Sequence, residues 1–111
     1  MVDLTFLKKF TKDDPIKMKR YISLYLDAAP KTFQEMQRNL KNEDWEQLRI
    51  NAHSLKPQAD FMGIMSLKEE LIKIEEAVKL NHLEGIEKLL DAALTISSKS
   101  ENSLREMLDQ F

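Results

Sequence analysis

Apolar residues recur at the spacing i, i+3, i+7 in four separate stretches of this chain, and that periodicity constrains the fold more than any other feature of the sequence. The first stripe is Ile22, Leu26, Ala29, Phe33, Met36, Leu40, and the second is Trp45, Leu48, Ala52, Leu55, Ala59. The third is Leu67, Leu71, Ile74, Val78, and the fourth runs Leu83, Ile86, Leu90, Ala93, Ser97, Ser100, Leu104, Met107, Phe111. With two Gly and three Pro in 111 residues, the chain lacks the turn punctuation that a β-rich fold needs. Short polar breaks between long helices force antiparallel neighbours. The expected fold is therefore all-α, an up-down-up-down four-helix bundle in one domain spanning residues 1–111. A leading segment, Leu4, Leu7, Phe10, reads as a short helix that forms a lid over one end.

The breaks are chemically marked. Asp14 before Pro15 predicts an N-cap followed by proline at the first helical position. The stretch Lys41 to Asp44 ends the first long helix at Asn42 or Glu43, Gly63 separates the second from the third, and Asn81 and His82 separate the third from the fourth. Pro30 is expected to bend the first long helix. The polar run Ser97 to Ser103 interrupts the last stripe and predicts a bend or fraying there. Met18, Met36, Met62, Met65 and Met107 read as gap-fillers in the core, and Trp45 as a core anchor.

Composition removes several classes of function. No cysteine means neither a disulfide framework nor a thiolate metal site. A net charge of −2 argues against a broad nucleic-acid surface. No apolar run reaches the roughly 18 residues of a membrane span. The N-terminus "MVDLTFLKKF" has no secretory layout, and a cytoplasmic, monomeric protein is expected.

One stretch, "NAHSLKPQADFMG" from Asn51 to Gly63, carries more than core packing. Drawn on a wheel at about 100° per residue, His53 falls roughly 120° from the centre of its helix's apolar cluster, so it faces solvent with nothing packed against its side chain. Lys56 lies on the flank between His53 and the core, Pro57 one turn above His53, and Asp60 two turns above on the same face. His82, in a loop, has no such neighbourhood. Other chemistries fail on spacing. There is no His-Glu-x-x-His and no Glu-x-x-His. Glu69/Glu70 and Glu75/Glu76 are adjacent pairs whose side chains diverge around a helix, and Ser54 points away from His53.

Taken together, "AHSLKPQADFMG" resembles the motif of histidine-containing phosphotransfer (HPt) domains of bacterial phosphorelays. That motif reads roughly Ala-His-x-Leu-Lys-Gly, then variable residues, then an apolar residue and Gly. Ala52, His53, Leu55, Lys56, Met62 and Gly63 match, and Pro57 stands where the family usually has Gly. "SLKEELIKIEEAV", Ser66 to Val78, is similar to the family's next helix with its apolar-Glu pair at Ile74 and Glu75, and Glu43 to His53 is similar to the family's approach to the histidine. The resemblance, over about residues 3 to 110, implies that His53 takes a phosphoryl group on Nε2 from a receiver-domain aspartate and passes it to another. It implies response-regulator receiver domains and a hybrid histidine kinase as partners, no cofactor in this chain, Mg²⁺ on the receiver, and no autonomous kinase activity. A free imidazole, with a pKa of about 6.5, is largely neutral and nucleophilic near neutral pH. Lys56 can offer its charge to the phosphoryl oxygens; its bland role is a flank residue with its stem on Leu48 and Leu55. Arg49, Ser54, Pro57, Gln58 and Asp60 form the expected docking rim. The alternative is a non-phosphorylated helical adaptor that docks a kinase or receiver domain, with His53 incidental.

Overall fold

Asp14 opens the longest helix as its sequence predicts: Oδ1 accepts from the backbone N–H of Ile16 at 3.0 Å and of Lys17 at 3.4 Å, and Pro15 takes the first helical position. In the computed structural model, which describes all 111 residues, this is one of five α-helices, and there is no strand. They are α1 (Thr5–Thr11), α2 (Pro15–Lys41), α3 (Trp45–Phe61), α4 (Met65–Lys79) and α5 (Ile86–Leu108). Asp44 caps α3 by accepting from Gln47 N–H at 3.3 Å. Consecutive long helices pack on one another, and α5 closes on α2, so the four surround one core. Within it Leu48, Leu55, Leu67, Leu71, Ile74 and Leu90 are buried. Each such side chain contributes about 1.5–3 kcal/mol by leaving water.

Gly63 does two things at once between α3 and α4. Its φ of +69° closes the turn, a conformation that side chains with a Cβ rarely adopt. A Cβ there would also stand 1.7 Å from the carbonyl oxygen of Asp3. The N-terminal segment therefore lies directly on this glycine, and Asp3 N–H donates to Gly63 O at 3.1 Å. That contact seats α1 over the end of α3, with Leu4 and Leu7 buried beneath it.

Several expectations are corrected. Within the lid, Phe10 is exposed. It belongs to an aromatic pile on the surface, its ring centroid 5.2 Å from Phe61 and 5.7 Å from Tyr21, with Phe6 5.3 Å from Phe61. Met65 is exposed and fills no core gap, because it sits in the first turn of α4, outside the Leu67–Leu71–Ile74 stripe. Trp45, Leu26, Leu40, Val78 and Met107 are only partly buried at the margin of the core. Helix α5 begins at Ile86, since Gly85 with φ +81° leaves Leu83 in the connecting turn. The fraying expected over Ser97 to Ser103 is absent: α5 runs through it, Ser97 and Ser100 are buried, and the Ser100 hydroxyl donates to Ile96 O at 2.8 Å. Pro30 lies within α2, which continues past it to Lys41.

One buried polar contact was not anticipated. Asn51 Nδ2 donates to Asn39 Oδ1 at 2.8 Å, joining α3 to α2, and Gln47 Nε2 donates to Asn51 Oδ1 at 3.3 Å. A slip between these helices would strand both buried amides, each at a cost of about 1–3 kcal/mol. The contact therefore fixes the register of α3 two residues before His53.

Candidate functional site

His53 lies in the third turn of α3, which continues unbroken through Pro57 to Phe61. Its side chain is 64% exposed, as the helical wheel requires. It is not free of contacts, however, and the expectation that nothing meets it is corrected. His53 Nδ1 lies 2.5 Å from Glu75 Oε2, across the packed α3–α4 interface. Lys56 Nζ donates to the other oxygen of the same carboxylate, Oε1, at 2.7 Å. Lys79, one turn along α4 from Glu75, places its Nζ 3.7 Å from Oε2.

The carboxylate at the centre of this arrangement is buried, its side chain only 4% exposed. An ionised carboxylate is tolerated in such a place only with close charged partners. Burial pushes the Glu75 carboxyl up, and it is the largest single influence. The hydrogen bonds from Lys56 and His53, with the charges behind them, together outweigh it and hold the group below its usual range. Glu75 is therefore ionised near neutral pH and can only accept hydrogen bonds. It follows that Nδ1 of His53 carries the ring hydrogen and donates it to Glu75. In the neutral imidazole the lone pair then resides on Nε2, on the solvent side of the ring.

The other residues singled out from the sequence spread along the same face. Arg49 is half-buried and bonded through its guanidinium to Glu46, one turn back on α3. Ser54 and Pro57 are exposed, and Gln58 is half-buried, its Nε2 donating to Ser54 O at 3.4 Å. Asp60 is exposed and faces α4, where Lys68 Nζ lies 3.3 Å from its carboxylate. His53, Pro57 and Phe61, at steps of four, share one stripe of α3. Past Pro57 and Gln58 that stripe opens into an apolar groove of about 450 Å³ against α2, lined by Tyr21, Leu24, Tyr25, Ala28, Phe61 and Met62. A second groove of about 440 Å³ also touches Pro57 and Phe61, and runs under α1 past Phe6, Lys9 and Asp60. His82 stands exposed in the α4–α5 connection.

Glu75 was missed as a member of this site, although the sequence holds a signal for it. It follows Leu71 by four residues and precedes Val78 by three, which puts a charged side chain inside the apolar arc of α4. Buried glutamates are almost always paired. What the sequence does not hold is the partner, because His53 and Glu75 are 22 positions apart.

The site contains no cluster of three or more His, Cys, Asp or Glu side chains that could hold a metal ion, and no helix is long and apolar enough to cross a membrane. The family model described as the Hpt domain matches residues 20–111. Neither the search of curated proteins nor that of solved structures returned a match.

Proposed function

The chain belongs to the Hpt domain family, and we propose that within it His53 is the phosphoacceptor, taking a phosphoryl group from the aspartyl phosphate of one receiver domain and returning it to the aspartate of another. Phosphotransfer in two-component signalling is the work of the family, whose members carry phosphoryl groups and interact with receiver domains and histidine kinases. The observation that carries the assignment to His53 is the single contact between Nδ1 and the buried Glu75 carboxylate.

That contact supplies what the transfer needs. With hydrogen on Nδ1, the Nε2 lone pair attacks phosphorus while the bond from phosphorus to the aspartyl oxygen breaks, and the electron pair leaves with the aspartate. No proton has to move. The ring becomes a phosphoimidazolium whose positive charge lies against Glu75, so the carboxylate stabilises the charge that develops. Lys56 is anchored beside the ring, where its ammonium can turn from Glu75 to the incoming oxygens. The bundle holds these groups on packed helices, so little reorganisation accompanies transfer. Nothing in this reading requires a cofactor on this chain; Mg²⁺ would come with the receiver.

The docking rim of Arg49, Ser54, Pro57, Gln58 and Asp60 surrounds the ring, and the apolar groove beyond Pro57 gives a partner apolar contact on the same face. The reading takes the bundle as up-down-up-down with α1 as its lid. In support, Asp60 meets Lys68 beside the α3–α4 connection while His53 and Lys56 meet Glu75 further along, the order that antiparallel neighbours give. The test is incubation with a receiver domain phosphorylated on aspartate. Wild type should acquire an acid-labile, base-stable phosphoryl group. His53→Gln, whose amide can still donate to Glu75, should stay folded and take none. Label retained by that variant would remove His53 from the reaction and leave the adaptor reading.

A further inference from the structure

We propose that Lys79 is the standby counter-ion of the site: when His53 is phosphorylated and Lys56 turns to the phosphoryl oxygens, Lys79 closes on the buried Glu75 carboxylate and takes the place that Lys56 leaves. The proposal rests on His53 being the phosphoacceptor and adds a residue to that site.

Phosphorylation leaves the site short of donors. In the resting protein the two oxygens of Glu75 serve separate partners, Oε1 holding Lys56 and Oε2 holding His53. A phosphoryl group on Nε2 brings about two negative charges to within one helical turn of Lys56. Lys56 cannot serve both anions at full strength. If it moves outward, Oε1 of a carboxylate that is 4% exposed loses its hydrogen-bond donor while Oε2 keeps the phosphoimidazolium Nδ1–H, and a buried acceptor left unpaired is destabilising. The phosphorylated state would then be penalised by the very group that orients the histidine.

Lys79 answers that shortage by position. It follows Glu75 by four residues on α4, with the glutamate N-terminal, which is the favourable order for such a pair. Its Nζ already lies 3.7 Å from Oε2, beyond hydrogen-bond distance but in ion-pair range. Its side chain is 56% exposed, against 26% for Lys56, so it is solvated and free to move. A shift of under about 1 Å brings it into a charge-assisted bond. Lys79 is a positioning residue: it touches neither the phosphoryl group nor the attacking nitrogen, and acts through Glu75. The competing account is an ordinary exposed i, i+4 pair of small effect in either state.

The experiment uses inorganic phosphoramidate as donor, so that no protein partner is needed. Wild type, Lys79→Met and Lys79→Arg are held at the same phosphoramidate and ammonium concentrations, and the phosphohistidine at His53 is quantified by phosphorus NMR, with His53→Gln correcting for label on His82. Lys79→Met should show a ratio of phosphorylated to free protein between about twofold and fivefold lower, the range of a partly exposed ion pair. Lys79→Arg should restore it. The unphosphorylated proteins should melt together, whereas phosphorylated Lys79→Met should melt below phosphorylated wild type, a difference that an ordinary surface pair would not produce. A wild-type ratio in Lys79→Met, or equal loss of melting temperature in both states, overturns the standby role while leaving His53 in place. Failure of wild type to take phosphate at His53 overturns the assignment on which the proposal stands.

Discussion

Replacing Glu75 by glutamine reverses the hydrogen-bonding logic of the site with almost no change of shape. The ammonium of Lys56 has only donors, so the single carbonyl oxygen of the amide must face it. The amide NH₂ then faces His53 Nδ1. A donor opposite Nδ1 favours the tautomer in which that nitrogen is bare and the hydrogen sits on Nε2, where it blocks the lone pair needed for attack. In wild type the bond to Nδ1 is charge-assisted, of the class worth about 1.5–3 kcal/mol, whereas a neutral amide bond is worth about 0.5–1.5 kcal/mol. The difference, about 1–1.5 kcal/mol, is an upper limit, because the imidazole is 64% exposed and water weakens the bond. A loss in transfer rate of up to about tenfold is therefore expected, tenfold being equivalent to about 1.4 kcal/mol. Stability should fall by only about 1–2 kcal/mol, since the cations left behind, Lys56 and Lys79, both reach solvent. Single-turnover transfer from a phosphorylated receiver domain measures the rate, and nitrogen-15 NMR of the ring reports the tautomer. If Glu75→Gln retains hydrogen on Nδ1, or transfers at the wild-type rate, the orienting role of Glu75 is wrong.

Four other outcomes are expected. Lys56→Ala should slow transfer, with a loss of at most about 1.5–3 kcal/mol of transition-state stabilisation; equal single-turnover rates would take Lys56 out of the mechanism. Pro57→Gly should keep transfer and Pro57→Phe should fold but transfer poorly, since position 57 lies one turn above the ring; wild-type kinetics for Pro57→Phe would show that the approach to His53 does not pass over it. Gly63→Ala should destabilise by about 2–3 kcal/mol, combining a side chain at positive φ with loss of the Asp3 contact, and should make the segment before α2 more sensitive to protease; an unchanged melting temperature would contradict the close approach. On acidification, the stability contributed by Glu75 should be fully present above its unfolded carboxylate value of about 4.5 and be lost as pH falls through its lower folded value. Glu75→Gln should therefore show a flatter stability profile below that pH than wild type, and coincident slopes would mean that the carboxyl is not held low.

The helices were legible because each writes its own period. Asp14–Pro15 and Gly63 mark their ends through local chemistry, and the stripes on α2, α3 and α4 name most of the residues that those three helices bury. Expectations failed where a residue's environment depends on a neighbouring element. Ser97 and Ser100 read as a polar interruption, yet they continue the stripe of α5, because a small hydroxyl that donates to its own helix, as Ser100 does, can be buried without a partner elsewhere.

The site divides along the same line. A helical wheel reports the direction in which His53 points, and that direction was correct; it is silent on what arrives from α4. Glu75 comes from the adjacent helix, and its pairing with His53 and Lys56 depends on the α3–α4 alignment and hence on packing. The register-fixing Asn39–Asn51 bond and the Glu75 contacts lie on different sides of α3, one against α2 and the other against α4. The histidine is thus aimed by two interfaces at once, although its own side chain lies mostly in water. Pro57 fits this division of labour. It denies the His53 carbonyl its helical partner, normally a cost near 3 kcal/mol, but both residues lie on the solvent side, where water can complete the carbonyl. The same substitution two residues away, at Leu55 or Ala59 on the core side, would strand a carbonyl where no water reaches. A proline is admissible in this helix only on the face that the histidine occupies.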